Sequence, residues 1–184
     1  MIIHSVGREF SPWNEYAKQI RAELDRQSPW PLDIREHALE TARSGDLDPE
    51  PLFVAYLEGV YAKHPPDLIV GIGAPAAAFI QRHRQQFFPT TPVLFTAIEQ
   101  RRLKYSLTQN DAVVAVTLDF RTLFESFLQI SPDTKIVAVV NGSSPNELFW
   151  RDEIQKELKP LEKRIDIRWY DNLSFQDILG FGLN

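Results

Sequence analysis

Apolar positions along the chain change period repeatedly, and each change marks a new element. Ile2-Ile3-His4-Ser5-Val6 is a short run that predicts a strand over 1–6. Ser11-Pro12 then offers a Ser N-cap and a Pro at the first helical position. Trp13, Ala17, Ile20 and Leu24 follow on one helical face. Pro29 and Pro31 break the chain before residues 32–39, where alternation predicts a strand with Leu32, Ile34 and Ala38 inward. Asp48-Pro49 repeats the cap signal, and Phe53, Tyr56, Leu57 and Val60 line a helix that stops before Pro65-Pro66.

The most informative stretch is Asp67-Leu-Ile-Val-Gly-Ile-Gly-Ala-Pro-Ala-Ala-Ala-Phe79. An apolar run passes through Gly71 and Gly73 into an Ala-rich segment with helical spacing. This is a buried parallel strand turning into a helix N-terminus, which sets backbone N–H groups and a positive dipole end at the carboxyl edge of a sheet. Open α/β proteins bind ligands outside those strand ends. Further strands are expected at Pro92–Ile98 and Ala112–Leu118, joined by a polar connector from Arg101 to Leu107. The alternation predicts an α/β fold, a parallel sheet with helices on both faces.

The grammar restarts after residue 118. Phe120, Leu123, Phe124, Phe127 and Leu128 form an apolar helical stripe, and Lys135–Val140 is a strand turned by Asn141-Gly142. Ser144 and Glu147 make a capping box for a helix to about Leu161. A strand at Ile165–Trp169 and a last helix from Ser174, ending at Gly180 and Gly182, complete the chain. The expected division is a first α/β lobe over 1–118 and an incomplete second α/β lobe over 119–184. About five strands belong to the first and two to the second, so the second reads as a lobe cut short with open sheet edges. Self-association into a homodimer through those edges is expected.

Composition narrows the function. The 184 residues, 43% hydrophobic and 24% charged, are those of an ordinary globular protein. A net charge of −5 disfavours nucleic acid as a partner. No apolar run approaches the roughly 20 residues that cross a bilayer. No cysteine is present, and His4, His37, His64 and His83 lack metal-ligand spacing, so no metal and no cofactor are expected. Met1 leads directly into the first strand with no leader segment, which leaves a cytoplasmic location open.

Several residues invite a chemical reading. Gly71-Ile-Gly73-Ala-Pro-Ala76 fits G-x-G-x-x-A, with Glu99 placed as a ribose-binding acid, so the alternative function is a nucleotide-cofactor-binding, Rossmann-like enzyme domain. Pro75 and the two preceding strand–helix units argue against it. His4 and Ser5 point to opposite faces of their strand, and no G-x-S-x-G elbow occurs, so catalysis is not expected. Phe10 and Trp13 can stack on a ligand, although Trp13 also fits a core position. Arg101, Arg102 and Lys104 form a small basic cluster, read as a solvated connector.

The chain resembles the extracytoplasmic solute-binding proteins of the ABC-transporter substrate-binding type, which have a two-lobed periplasmic-binding-protein fold. The ligand-sensing input of some bacterial sensor histidine kinases is similar. The resemblance lies in Ile2–Ser5 with Phe10–Asn14, in Pro66–Ala76, in Pro92–Ala97, and in Val137–Val140 with Asn141–Pro145. The opening segment looks more like the sensor-kinase branch. The resemblance implies a non-enzymatic, small-molecule-binding role outside the cytoplasm, with cleft closure on the ligand. Carried over residue by residue, the first-lobe wall is His4, Ser5, Phe10 and Trp13, then Gly73, Ala74, Pro75 and Ala76, then Thr96 and Ala97. Asn141, Gly142, Ser143 and Ser144 face them from the second lobe. A bulky residue at Ala76 is expected to block binding without unfolding the chain. The family's further second-lobe units and its secretion signal or membrane span do not appear in this sequence.

Overall fold

A computed structural model describes residues 1–39, 50–103, 107–171 and 173–181. They fall into two compact units, Met1–Thr117 and Leu118–Asn184. The Asp48-Pro49 cap, Lys104 and Gly182 lie outside the described residues.

The first unit runs β1 (Ile2–His4), α1 (Trp13–Gln27), β2 (Glu36–Ala38), α2 (Glu50–Tyr61), β3 (Ile69–Ile72), α3 (Ala74–Phe87), β4 (Val93–Glu99) and β5 (Asp111–Val116), with a 3-10 turn at Gln100–Arg102. All five strands are parallel, in the order β2-β1-β3-β4-β5. Alternation along each strand divides the core. Ile2, Val70 and Ile72 face α1, where they meet Ala17 and half-buried Trp13 and Ile20. Ile3, Ile69, Val93 and Phe95 face the other way, against Val54 and Leu57 of α2 and Phe79 and Ile80 of α3. Each such side chain, once buried, contributes about 1.5–3 kcal/mol. Gly71 lets α3 close down, because a Cβ there would lie 2.7 Å from the Ile80 side chain. Arg84 of α3 forms a buried ion pair with Asp111 of β5 and donates to the Thr91 carbonyl at 3.0 Å.

Two local expectations need correction. The strand expected over 32–39 is only three residues long, because β1 offers three partners; Leu32 is left exposed. Ser11 does not cap α1, whose N-cap position is Pro12 with no side-chain capping bond.

The second unit runs α4 (Phe120–Ile130), β6 (Ile136–Val140), α5 (Pro145–Leu158), a 3-10 turn at Lys159–Lys163, β7 (Asp166–Tyr170) and α6 (Phe175–Phe181). β6 and β7 pair in parallel as a two-stranded sheet. Its core is Leu128, Leu158, Leu161 and Ile165, with Phe124, Val137, Ile154 and Ile167 half-buried around it. The stripe expected on α4 therefore splits. Phe124 and Leu128 turn inward, whereas Leu123 and Phe127 are exposed. The Ser144–Glu147 capping box forms as expected. Gly180 does not end α6, which continues to Phe181.

Candidate functional site

The strand order 2-1-3-4-5 reverses direction between β1 and β3. At such a switch point the connecting loops part on opposite sides of the sheet and leave a crevice at its carboxyl edge. The residues after β1, β3 and β4 converge there. Gly73 N donates to the Thr96 carbonyl at 2.9 Å, and Ser5 N donates to the Ile72 carbonyl at 3.2 Å.

Ser5 holds this edge together. Its Oγ donates to the Ile72 carbonyl at 2.7 Å and accepts from Ala76 N at 2.9 Å. Gly73 is the N-cap of α3 but has no side chain to cap with, so the hydroxyl arrives from the neighbouring strand. Gly73 has φ +86°, and a Cβ there would fall 2.7 Å from the Ser5 Oγ and 3.4 Å from the Trp13 ring. Only glycine meets both the backbone and the space requirement. Trp13 thus borders the turn while its body packs on the α1-side core. Phe10 lies 5.7 Å from it, centroid to centroid, and is exposed.

The turn offers few donors. Pro75 has no N–H, Ala76 N is used by Ser5, and Ala77 N bonds the Gly73 carbonyl. Ala74 N–H remains, without a partner among the described residues. A phosphate cradle needs several such groups. Glu99 is committed too, since its buried carboxylate accepts from Arg101 N at 2.7 Å and Arg101 Nε at 2.8 Å. The nucleotide pattern is therefore present in sequence without its chemistry in space.

Thr96 is buried, and Ala97 beside it has φ +54° at a bulge between Thr96 and Ile98 in β4. A non-glycine residue in that region costs about 1–3 kcal/mol, and such positions cluster at binding sites. His4 leaves the sheet on the α1 face, opposite Ser5. Its Nε2 lies 2.7 Å from Glu36 Oε2, and Arg21 bonds the other oxygen. Burial pushes the Glu36 carboxyl up, but the bonds from His4 and Arg21 outweigh it and hold the group below the usual carboxylate range. Arg8, Asn14, Lys18, Arg21 and Glu36 line a cleft of about 330 Å³ beside this trio.

In the second unit, the residues after β6 line a separate cleft of about 610 Å³, with Asn141, Gly142, Ser143, Glu147 and Asp171 on its walls. Ser144 accepts from Glu147 N, and Glu147 accepts from Ser144 N at 3.0 Å, so Ser144 serves α5. Ser143 is exposed. Glu147 and Asp171 were not among the expected wall residues. Among the described residues, no three His, Asp or Glu side chains are grouped to hold a metal, and no helix is long and apolar enough to cross a membrane.

No protein-family model matches the chain, and no curated protein matches its sequence. Solved structures do match. An ABC domain in complex with L-Trp from Streptococcus pneumonia aligns at TM-score 0.64 and 17% identity, over 97% of this chain and 58% of that one. A conserved domain protein from Vibrio cholerae aligns at 0.67 and 17%, with the same coverage. A ligand-free, open substrate-binding protein with adhesive properties from Clostridium difficile aligns at 0.60 and 16%, over 98% and 60%. The chain shares the fold of these three structures and spans about three-fifths of their length.

Proposed function

We propose that the chain binds a small, largely apolar metabolite, and that the carboxyl edge of the first sheet is one wall of the site. The observation that carries this reading is the convergence of Ser5, Gly73 and Thr96 at the switch point, next to strained Ala97. The wall has rings at Trp13 and Phe10 and an available N–H at Ala74, which suits an apolar body with few polar groups. The ring of an aromatic amino acid meets that description, with its ammonium and carboxylate left to groups beyond this wall, and one protein of the same fold holds L-Trp. Asn141, Gly142 and Ser143 are proposed as ligand-facing residues of the second unit's own cleft, with residues 119–184 as part of a second lobe. In its finer form the reading makes the chain the ligand-capturing part of an ABC-type transporter, or the sensory input of a sensor histidine kinase. It then works outside the cytoplasm and catalyses nothing itself.

The test is calorimetry and thermal unfolding with a panel of amino acids and related metabolites. An aromatic amino acid is expected to raise Tm and to release or absorb heat. Ala76 is the wrong site for a blocking substitution, because it is wholly buried and a larger side chain would overpack the core. Half-buried Ala74 is the better choice. Ala74→Trp should abolish binding, keep the native circular dichroism and lower the ligand-free Tm by no more than a few degrees, since Ala74 only borders the core. Full binding by Ala74→Trp would refute this placement. Protection by NAD or ATP alone would instead favour a nucleotide-binding domain.

A further inference from the structure

A buried ionic network lies at the edge strand β2, and the wall formed by Ser5, Gly73 and Thr96 makes no use of it. His4 and Glu36 have side chains only 2% and 12% exposed, joined through His4 Nε2 and Glu36 Oε2 at 2.7 Å, and Arg21 of α1 bonds the other Glu36 oxygen. Apolar side chains of similar volume often replace such a network with no loss of stability, so packing alone does not call for it. Beside it opens a cleft of about 330 Å³, within the range of about 300–1,000 Å³ usual for small-molecule sites.

The charges on the walls of this cleft balance. The loop after β1 supplies Arg8 and Glu9, α1 supplies Glu15, Lys18 and Arg21, and β2 supplies Glu36. Glu36 is spent on Arg21 and His4, but the others are loosely held. Lys18 and Glu15 stand 3.8 Å apart with side chains 65% and 61% exposed. Arg8 and Glu9 form no hydrogen bond or ion pair among the described residues. Asn14 uses its Oδ1 on Glu15 N at 2.8 Å, which leaves its Nδ2 as a further donor. Among the described wall residues only Ala17 is apolar.

We propose that this cleft is a second solute site, for a small polar zwitterion whose carboxylate meets Arg8, Lys18 and Asn14 and whose ammonium meets Glu9 and Glu15. A simple anion is attracted by one set of charges and repelled by the other, and so is a simple cation. A ligand that carries both signs gains from both sets. The Arg21–Glu36–His4 network holds the floor, with both Glu36 oxygens already bonded. Walls with so little apolar surface offer nothing to an aromatic ring, so this site differs in chemistry from the sheet edge and stands independently of the reading given for it.

The test titrates the full chain with glycine and follows the backbone amides by NMR. Saturable shifts are expected at Asn14, Lys18 and Glu36. Acetate and methylamine, each with one half of the charge pattern, should bind at least about tenfold more weakly. Arg8→Ala with Glu9→Ala removes two exposed side chains, so circular dichroism and Tm should hold while the glycine dissociation constant rises about tenfold or more. Ala74→Trp, at the sheet edge, should leave glycine binding as it is. The absence of saturation by about 10 mM glycine would overturn the proposal. So would wild-type affinity in the Arg8 and Glu9 double variant, acetate binding as tightly as glycine, or loss of glycine binding in Ala74→Trp. A failure here leaves the sheet-edge reading standing, because that reading is scored on an aromatic amino acid.

Discussion

In the first unit five strands lie between helices on both faces, and Ile72, Phe79, Phe95 and Ile98 lose all contact with solvent. In the second, two strands have one face on a core, while Ile136 and Val140 on the other remain 50% and 45% exposed. The strands of both units read alike in sequence, as β-branched runs suited to burial on two sides. What differs is the number of covering layers. Only a sheet covered on both faces holds its strand ends rigidly enough to present strained residues such as Ala97. The first unit therefore holds its strand ends in the firmer frame, and the second unit has the softer one.

Core substitutions should separate the units most widely. Asp111→Ala leaves Arg84 charged and buried without its partner, and should cost about 3–5 kcal/mol in urea unfolding of the full chain. Phe95→Ala opens a cavity at a fully buried position, with an expected loss of about 3–5 kcal/mol. A loss below about 1 kcal/mol in either would mean the first core is no better packed than the second.

Acid should also act on the first unit earlier. Burial holds His37 below its ordinary value, with the chain amino group and Arg35 adding to the effect, while its ring nitrogens meet the Tyr61 and Tyr56 hydroxyls at 2.8 and 3.2 Å. The fold thus favours the neutral imidazole, so stability is full above about pH 6.5 and is lost as pH falls through the lower folded value. Asp111 follows at lower pH. Burial raises its carboxyl, but the Thr108 amide and Arg84 outweigh that and hold it below the usual range. Its contribution is present above about pH 4 and disappears below it, as does that of Glu36. Tm should therefore fall in two stages on acidification, and His37→Gln should shrink the upper stage, which the buried chain amino group shares. A single step near pH 4 in the parent chain would contradict this assignment.

Much of this contrast was legible in the sequence, because prolines, glycines and changes of period are local signals. They marked the glycine turn at 71–73, five strands followed by two, and the Ser144–Glu147 capping box. The remainder depends on partners far along the chain. Ser5 acts on Ala76 from 71 residues away, and no local pattern announces a cap supplied from another strand. The shortness of β2 follows from the length of β1. At Ala97, alanine gives no hint of a left-handed backbone, since that conformation is set by the bulge against β5. The α4 stripe splits between buried and exposed positions because period identifies apolar positions and cannot count the layers available to cover them.

Smaller effects sharpen the comparison at the strand ends. Gly73→Ala meets both a positive φ and the Ser5 side chain, and should lose about 1–3 kcal/mol. The two serine caps allow a direct comparison between units. Ser5 is wholly buried and bridges two elements, so Ser5→Ala should cost about 2 kcal/mol, at the upper end for a cap. Ser144 is half-buried in a local box, and Ser144→Ala should cost about 1 kcal/mol. Equal costs would place the two helix starts in equivalent surroundings. The smallest effect belongs to Val140→Thr on the exposed face of β6. The two side chains have nearly the same shape, and threonine suits a wet strand position as well as valine does, so stability should change by less than about 0.5 kcal/mol. If urea unfolding gives a loss above about 1 kcal/mol, a hydroxyl there is being desolvated. The face of β6 would then be covered in solution, and the layer count that separates the two units would no longer hold.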